Sequence, residues 1–432
     1  MAARFPLFCC LLAGLFAVPA DASAQQARSY GWENSSYLQP LTAAEKGVEG
    51  LPPEAYARPR TPELEAAVRR LSHELQRLAT ERSYVGDVDG AIAVFDVQAQ
   101  GMPAPGRKPA ALTPEAAQAR AEDAIRAIVE QARSRQVVLI NEAHHVPMHR
   151  AFTQKLAHEL RKIGYTYLAA ETFNADARNG VPLSEAGRTR LTTGTYTREP
   201  VFAEFVNAAV ADGWKLVPYE LAWAATAPPA DPMERIQERE QAQARNLVER
   251  IFARDKQAKV LIHVGYGHLY KQRPGDTTMP VLMGEHLRRM TGLAMLHVDQ
   301  TEFYAHPDRA NERPLYAALA DKFPAREPIV LRAPDGSFPV LAGKQGMVDM
   351  QVIFPRYAMR DGRPEWLQTL AGRSPHAIPA ELLPKQGRRL VKAFRTGDGP
   401  DAVPVDVVLV DAFKPVPKLM LPAGEFRYTV EE

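Results

Sequence analysis

A short apolar run at residues 137–140 opens the stretch around which the rest of the chain is organised. Four consecutive apolar residues are typical of a strand that is buried on both faces. Apolar residues then recur at helical spacing through Leu156 and Leu160 as far as Gly164, where a helix can end. A second apolar run, residues 167–170, follows directly. The pattern predicts a strand–helix–strand unit of a parallel sheet.

The same order of apolar and polar segments occurs again in the second half of the chain. A short apolar run leads to Gly265, and an ungapped alignment with the first unit places His268 on His144. A helical pattern and a second apolar run follow, and this run ends at Gln300 where that of the first unit ends at Glu171. The repeat predicts two related halves in one parallel sheet, with both histidines and Glu171 converging at one edge.

Helical and strand patterns also flank these two units. Helices are predicted after Thr61, Thr113 and Asp231, each of which is followed by proline, and again at residues 202–210. Strand patterns occur at residues 91–95, 214–218, 329–331, 350–354 and 405–410, and residues 418–428 have the pattern of a hairpin. Residues 25–60 show no period and are predicted to form an extended arm.

These patterns together predict an α/β protein. Its central sheet is mostly parallel (mixed), with helices on both faces, a helical insertion at residues 174–210 that forms a lid over the strand ends, and a β-rich C-terminal region. The predicted organisation is a signal peptide (1–24), an N-terminal arm with helices (25–125), an α/β core of two related halves (126–308) and the β-rich region (309–432).

Residues 1–24 have the pattern of a secretory leader, with an apolar core too short to span a bilayer and small residues before Gln25. We therefore predict a secreted or periplasmic protein with no stable membrane anchor after cleavage. Cleavage would remove Cys9 and Cys10, so no cysteine nucleophile, disulfide or thiolate–metal site is expected. The net charge of +2 gives no support for a nucleic-acid partner, and we expect a small-molecule or peptide substrate.

Ionisable side chains follow the predicted strands of both halves. Glu142 and His144 follow the first strand, Glu171 follows the second, and His268 follows the first strand of the second half. Imidazoles and carboxylates at adjacent strand ends suit the activation of water by proton transfer. Two histidines with one or two carboxylates also suit a divalent metal that keeps an open coordination position. The residue types are the same in both mechanisms, so both stay open.

The segments around these histidines resemble the motifs of the erythromycin esterase, ChaN-like and TIKI (TraB) superfamily. The first motif is Glu142-x-His144 with an acid, Glu171, after the next strand, and the second is Gly265-x-x-His268. The resemblance spans residues 136–301. Within it, one residue departs from the family motif and one helix gives a further match. Asn141 stands where the family has its first glycine, and the helix that contains Arg239 and Asn246 is similar to a helix of the ChaN-like members.

The resemblance implies a hydrolase that acts on an ester, lactone or peptide bond. His144 is then the general base or a metal ligand, and Glu142 and Glu171 orient it or polarise water. His268 is the second base or ligand, and Arg239 stabilises charge in the transition state. Esterase-like members imply a metal-free proton relay, whereas TIKI-like members imply a divalent metal.

Two cofactors are therefore expected as alternatives. A divalent metal would be bound by His144, His268 and Glu171. ChaN-like members imply instead a haem- or ligand-binding protein without turnover, in which Tyr266, His268 or Tyr270 would be the axial ligand of haem.

Three further histidines near the site are predicted to be structural. His145 and His149 have helical spacing, but Pro147 and the missing glutamate after His145 exclude a zincin motif. His263 is predicted to be a buried residue that packs among or supports its neighbours. The chain has no Gly-x-Ser-x-Gly elbow and no phosphate-binding Gly-x-x-x-x-Gly-Lys-Ser/Thr loop.

Overall fold

The computed structural model describes residues 36–56, 60–98, 110–174, 188–221, 229–277 and 279–432. Its α-helices are α1 (Leu38–Gly47), α2 (Pro62–Arg70), α3 (Ser72–Tyr84), α4 (Val88–Gln98), α5 (Pro114–Gln118), α6 (Ala124–Ala132), α7 (Pro147–Lys162), α8 (Pro200–Ala211), α9 (Pro232–Leu247), α10 (Met283–Thr291), α11 (Pro314–Lys322) and α12 (Trp366–Thr369). Short 3-10 turns lie at Pro53–Tyr56, Tyr196–Arg198, Arg309–Asn311 and Ala380–Leu382, and a π-helical turn, Val248–Phe252, follows α9. The predicted leader and residues 175–187 of the predicted insertion lie outside the described residues.

The strands form one large and several small sheets. They are β1 (Arg120–Asp123), β2 (Val137–Glu142), β3 (Tyr167–Ala170), β4 (Lys215–Pro218), β5 (Val260–Gly265), β6 (Met295–Phe303), β7 (Ile329–Arg332), β8 (Met350–Ile353), β9 (Met359–Arg360), β10 (Arg363–Pro364), β11 (Ser374–His376), β12 (Arg388–Arg395), β13 (Asp406–Asp411), β14 (Leu419–Leu421) and β15 (Phe426–Glu431).

The large sheet has eight strands in the order β1-β7-β8-β6-β2-β5-β3-β4. The six strands from β8 to β4 are parallel to their neighbours, whereas β7 runs antiparallel to β8 and β1. The C-terminal region adds antiparallel sheets, including β13-β12-β15. These observations confirm the predicted α/β class, the mostly parallel mixed sheet and the β-rich C-terminal region.

The two halves that the sequence repeat predicts interleave in the sheet. β2 and β5, the first strand of each half, are adjacent, with Glu142 opposite Gly265. The second strand of each half pairs with the first strand of the other half, so that β3 lies beside β5 and β6 lies beside β2. The loops that follow β2 and β5 therefore emerge side by side at one edge of the sheet.

Helices cover both faces of this sheet, as predicted. Val138 and Ile140 of β2 pack with α6, α7 and α8, whereas Val137 and Leu139 pack with α9 and α10 on the opposite face. All six residues of β2 are buried. Burial on both faces explains why the strand is a continuous apolar run rather than an alternating one.

The predicted insertion contains a packed crossover helix. α8 connects the parallel strands β3 and β4 and buries Phe202 and Phe205 in the core. The segment before it, residues 188–199, crosses the strand ends, and Gly194 forms a bridge with Phe173 just after β3. The helix is thus part of the core, and the segment of residues 188–199 is the part that covers the strand ends.

Two predicted strand features are wrong. Residues 91–95 lie inside helix α4, because Val88, Ile92 and Phe95 repeat at helical spacing and the Asp87 carboxylate accepts the N–H of Gly90 at 3.1 Å. The expected hairpin at residues 418–428 does contain two strands, but they do not pair with each other. β14 pairs with β11 and β15 pairs with β12, because each apolar face is buried by another part of the C-terminal region.

Two predictions near the N-terminal side of the core are also wrong. The expected extended arm contains α1. This helix buries only Leu41 and Ala44, and two apolar positions are too few to show a helical period in the sequence. The helix expected after Thr113 is only the short α5, followed by β1 and α6. β1 is polar in sequence and forms because it pairs with β7, where Glu122 lies 2.8 Å from Arg332. Among the described residues, no helix is long and apolar enough to cross a membrane.

Candidate active site

The ends of three neighbouring strands bring the predicted site residues together. Glu142 ends β2 and His144 follows it, Glu171 follows β3, and His268 follows β5. Arg239 reaches the same place from α9, which covers this part of the sheet. The parallel register of β2, β5 and β3 produces this convergence, because their carboxyl ends lie at one edge.

His144 and Glu142 form the first imidazole–carboxylate pair. His144 Nδ1 lies 2.8 Å from Glu142 Oε1. A carboxylate accepts, so in the neutral imidazole Nδ1 carries the proton and Nε2 has the lone pair. Nε2 lies close to Gly265, where an added Cβ would be 2.6 Å from Nε2 and 2.9 Å from Glu171 Oε2. His144 therefore presents a proton acceptor to Glu171 and Gly265.

Arg150, which the sequence patterns did not single out, holds this pair in place. Its guanidinium is fully buried and donates two hydrogen bonds to Glu142, at 2.6 and 2.8 Å, and one to the carbonyl of His144 at 2.9 Å. It also binds Glu199, the N-cap of α8, at 3.2 Å. Burial favours protonation of Glu142, but the charge of Arg150 holds the pKa of that carboxyl well below its usual range.

His268 and Glu240 form a second imidazole–carboxylate pair. His268 Nδ1 bonds Glu240, and the other oxygen of Glu240 accepts the N–H of Met283 at 2.6 Å, where α10 begins. Both side chains are buried. Burial acts to lower the pKa of His268, but Glu240 and then Glu171 raise it above its ordinary value. The role of Glu240 was missed, although its neighbour Arg239 was predicted.

Arg239 lies between carboxylates that follow two strands. It donates to Glu171 at 2.5 Å and to Glu220, after β4, at 3.0 Å through Nε. Its Nη1 lies 3.2 Å from His268 Nε2. Burial opposes the charge of Arg239, but Glu220 and Glu171 raise its pKa well above the ordinary value, so the guanidinium is a permanent cation of the site.

Glu171 is the group that the two histidines share. One oxygen accepts the N–H of Gly265 at 2.6 Å, and the other lies 3.9 Å from His268 Nε2. Burial acts to raise the pKa of Glu171, but His268 and Arg239 lower it, so the carboxylate is ionised. The structure therefore brings together His144, His268 and Glu171, the side chains that were predicted to converge.

Tyr196 covers His144 and was not predicted. The two rings stack at 3.8 Å with an interplanar angle of 11°. The backbone N–H of Tyr196 donates to Thr172 Oγ1 at 2.9 Å, and the Tyr84 hydroxyl bonds the carbonyl of Thr195 at 3.0 Å. The segment of residues 188–199 thus closes one face of the imidazole and leaves its Nε2 edge towards Glu171.

The donors of this site do not fit the predicted divalent metal. Both oxygens of Glu171 are already bonded, one by Arg239 and one by Gly265. His268 has Glu240 on Nδ1 and Arg239 beside Nε2, so the guanidinium lies where a metal shared with Glu171 would have to bind. Within the described parts of the chain, no group of three or more His, Cys, Asp or Glu side chains has the arrangement of a metal site.

The tyrosines predicted for haem lie on different faces of the sheet. Tyr266 packs against the core that contains α7, and its hydroxyl lies 3.3 Å from His145 Nδ1. Tyr270 is buried in the core that contains α9, beneath the ammonium of Lys344 at 5.1 Å. The two side chains therefore do not line one haem cleft.

The remaining histidines have surroundings that suit the predicted structural roles. His145 stacks on Phe95 at 3.8 Å, and His149 Nδ1 accepts the N–H of Ala143 at 3.1 Å. His263 packs edge-on against Phe202 and lies 3.6 Å from Glu142. Burial lowers the pKa of His149 to about 3 and of His263 to about 4, so both are neutral.

Asn246, on the same helix as Arg239, binds backbone instead of the site. Its amide donates to the carbonyl of Tyr219 at 2.9 Å, where β4 has ended. It therefore holds the loop that carries Glu220 rather than a substrate.

Comparison with known proteins gives only distant likenesses. No protein-family model and no curated protein matches the chain. ChaN of Campylobacter jejuni, described as binding haem cofacially, is 14% identical over 43% of this chain and 89% of its own, with a TM-score of 0.33. The type III effector HopBA1 is 14% identical over 46% of this chain and 96% of its own, with a TM-score of 0.29. The C-terminal region of Pasteurella multocida toxin is 10% identical over 100% of this chain and 67% of its own, with a TM-score of 0.32. Nothing about the chemistry of this chain follows at these scores.

Arg150 is expected to be essential for stability. Arg150→Ala would leave Glu142 and Glu199 buried without their cation, which costs roughly 3–5 kcal/mol in the free energy of unfolding. Urea unfolding at neutral pH measures this. Lys162→Ala, which removes an exposed pair with Glu159, is the control and should change the free energy by at most about 1 kcal/mol. Equal effects of the two variants would contradict this account of Arg150.

Gly265 is expected to tolerate no side chain. A Cβ at this position would lie 2.5 Å from His144 Cε1 and 2.9 Å from Glu171 Oε2, and both groups are held by hydrogen bonds. Gly265→Ala should therefore lower the free energy of unfolding by roughly 1–3 kcal/mol, the usual cost of overpacking. Gly397→Ala is the control, because no atom lies within 4 Å of its Cβ position. A fully stable Gly265→Ala protein would show that this contact is not tight.

Proposed function

We propose that this chain is a hydrolase that adds water to an ester, lactone or peptide bond, with His144 as the general base and His268 as the general acid. The observation that carries the proposal is the pair of histidines that flank Glu171, each with a carboxylate on Nδ1. That arrangement directs both Nε2 atoms towards one place, where one is a proton acceptor and the other is a proton donor.

In the first step His144 Nε2 removes a proton from water, and the water oxygen forms a bond with the carbonyl carbon. The carbonyl π electrons move to its oxygen, which becomes an oxyanion. Glu142 keeps the bond to Nδ1–H and stabilises the imidazolium that forms, while Arg150 holds Glu142. Stacking on Tyr196 keeps the ring in one orientation.

In the second step the oxyanion collapses and the bond to the leaving group breaks. His268 Nε2 gives its proton to the leaving oxygen or nitrogen, so the products are an acid and an alcohol or amine. His144 returns its proton to solvent, and His268 takes one up. Glu240 and Glu171 favour the protonated form of His268 before the reaction, which a general acid requires.

Arg239 supplies stabilisation for the oxyanion. Its Nη1 and His268 Nε2 lie 3.2 Å apart. When His268 is protonated, both atoms are donors and cannot bond each other, so both can donate to an oxygen beside them. Glu171 and Glu220 bind the other guanidinium nitrogens and thereby fix the direction of Nη1.

The substrate is proposed to be a small molecule or a peptide, and the predicted leader would place the reaction outside the cytoplasm. The metal-free mechanism is the one that the donor arrangement supports. Haem or ligand binding without turnover is the competing outcome of the experiment that follows.

The test is hydrolysis of a panel of chromogenic esters, lactones and peptides, with and without a chelator. We expect turnover that the chelator leaves unchanged, and a loss of roughly 10²–10⁴-fold in kcat for His144→Ala, the usual contribution of a general base. His158→Ala, an exposed histidine bonded to Asp212, should behave as the parent protein. Turnover that persists in both His144→Ala and His268→Ala, or no turnover together with a Soret band, would overturn the proposal.

A second measurement tests the assignment of acid and base. Glu240 raises the pKa of His268, so Glu240→Gln should lower it. The rate falls when pH rises through the pKa of a general acid, and this fall should therefore begin at lower pH in the variant. The pH dependence of kcat/KM measures the change. A basic limb that does not move would remove His268 from the role of acid.

A further inference from the structure

The turn that carries His268 is strained and is held from the neighbouring strand. Tyr266 has φ of +40°, a conformation that is strained for a residue other than glycine and persists only where its surroundings impose it. Its N–H donates to the carbonyl of Glu142 at 2.8 Å, and its own carbonyl accepts from Asn141 Nδ2 at 2.7 Å. Asn141 and Glu142, at the end of β2, thus bind both the N–H and the carbonyl of Tyr266, which lies between Gly265 and His268.

Asn141 is fully buried and has a fixed amide orientation. Nδ2 also donates to Asp299 Oδ1 at 2.9 Å, and Oδ1 accepts the N–H of Gln300 at 2.9 Å. An ionised carboxylate can only accept, so Asp299 requires that Asn141 present its NH₂ group. The second hydrogen of that NH₂ group is the one that reaches Tyr266.

A lysine keeps Asp299 ionised. Lys344 Nζ lies 2.9 Å from Asp299 Oδ2 and 3.0 Å from Glu302, and Asp299 is fully buried. Burial acts to raise the pKa of Asp299, but the charge of Lys344 holds it well below its ordinary value. Without that cation, burial would favour protonation of the carboxyl, and the Thr301 hydroxyl and the Gln351 amide would be left to oppose it as donors.

Lys344 comes from outside the two related halves. It lies in a tight loop of the C-terminal region, where Ala342, Gly343 and Gly346 all have positive φ. The loop is bound to the segment after β5, since the N–H of Lys271 donates to the carbonyl of Met347 at 3.0 Å. The cation that balances Asp299 therefore comes from the C-terminal region of the chain.

We propose that Lys344, Asp299 and Asn141 form a buried relay that positions the Gly265–His268 turn, so that the C-terminal loop determines where His268 stands relative to Glu171 and Arg239. These are positioning residues, because they act through the Tyr266 carbonyl and none of them lies beside the proposed reacting atoms. The inference rests on the proposed function only for its effect on rate.

The direct test is the ¹³C-labelled Cε1 resonance of His268 in the full protein, assigned by its loss in His268→Ala. Lys344→Met and Asp299→Asn should each shift this resonance, because each changes the charged acceptor that helps to hold the Asn141 amide. Lys271→Met is the matched control. It removes a half-buried lysine from an ion pair with Asp349 that does not include Asn141, and it should leave the resonance in place. A resonance that stays in place in Lys344→Met and Asp299→Asn would overturn the relay, whatever the chain catalyses.

The kinetic test is a double-mutant cycle in kcat. Each single variant should lower kcat roughly 10- to 100-fold with little change in KM, the size expected for a small misplacement of a catalytic group. Because Lys344→Met and Asp299→Asn both act through the Asn141 amide, the kcat of the double variant should be no lower than that of the worse single variant. Losses that multiply would show two independent structural effects and would contradict the relay. A parent protein with no hydrolysis would remove the proposed function alone, and the resonance shift would still decide the relay.

Discussion

The ionised carboxylate of Glu142, buried where β2 ends, is the group on which the candidate site depends. A carboxylate without water must be given a cation and donors, or it takes up a proton. Arg150 supplies the cation from the first turn of α7, and His144 supplies a donor. The same guanidinium binds Glu199 at the start of α8. One buried charge thus fixes a strand end, two helix starts and the orientation of the imidazole.

Glu240, on the other side of Glu171, is a second buried carboxylate that needs donors, but its partners differ from those of Glu142. Glu142 shares its charge with Arg150, so it contributes mainly orientation to His144. The partners of Glu240 are His268 and the N–H of Met283, so Glu240 contributes charge as well as orientation. Two pairs of the same chemical type are therefore not equivalent. This difference, rather than the residue types, assigns base and acid in the proposed reaction.

The strand ends could be predicted from the sequence, because an apolar run that stops at an ionisable residue is a local pattern. Glu142, Glu171 and His268 were found in this way. Arg150 and Glu240 could not be found, because each lies on a helix whose charged residues look like a solvated face until the tertiary partner is known. The strand predicted at residues 91–95 failed for the opposite reason. Five consecutive apolar residues suit a helix as well as a strand. Because α4 is buried on two sides, it lacks the polar face that would have distinguished a helix from a strand.

The interleaving of the halves explains why the site needs both of them. Glu171 belongs to the first half, but its strand β3 lies beside β5 of the second half, and its carboxylate accepts the N–H of Gly265. His144 belongs to the first half and faces that same glycine. Had β2 and β3 been neighbours, the two groups would face each other across a strand pair with no room for a second histidine. Because β5 lies between them, its turn brings His268 to the other oxygen of Glu171, and a carboxylate with an imidazole on each side becomes possible.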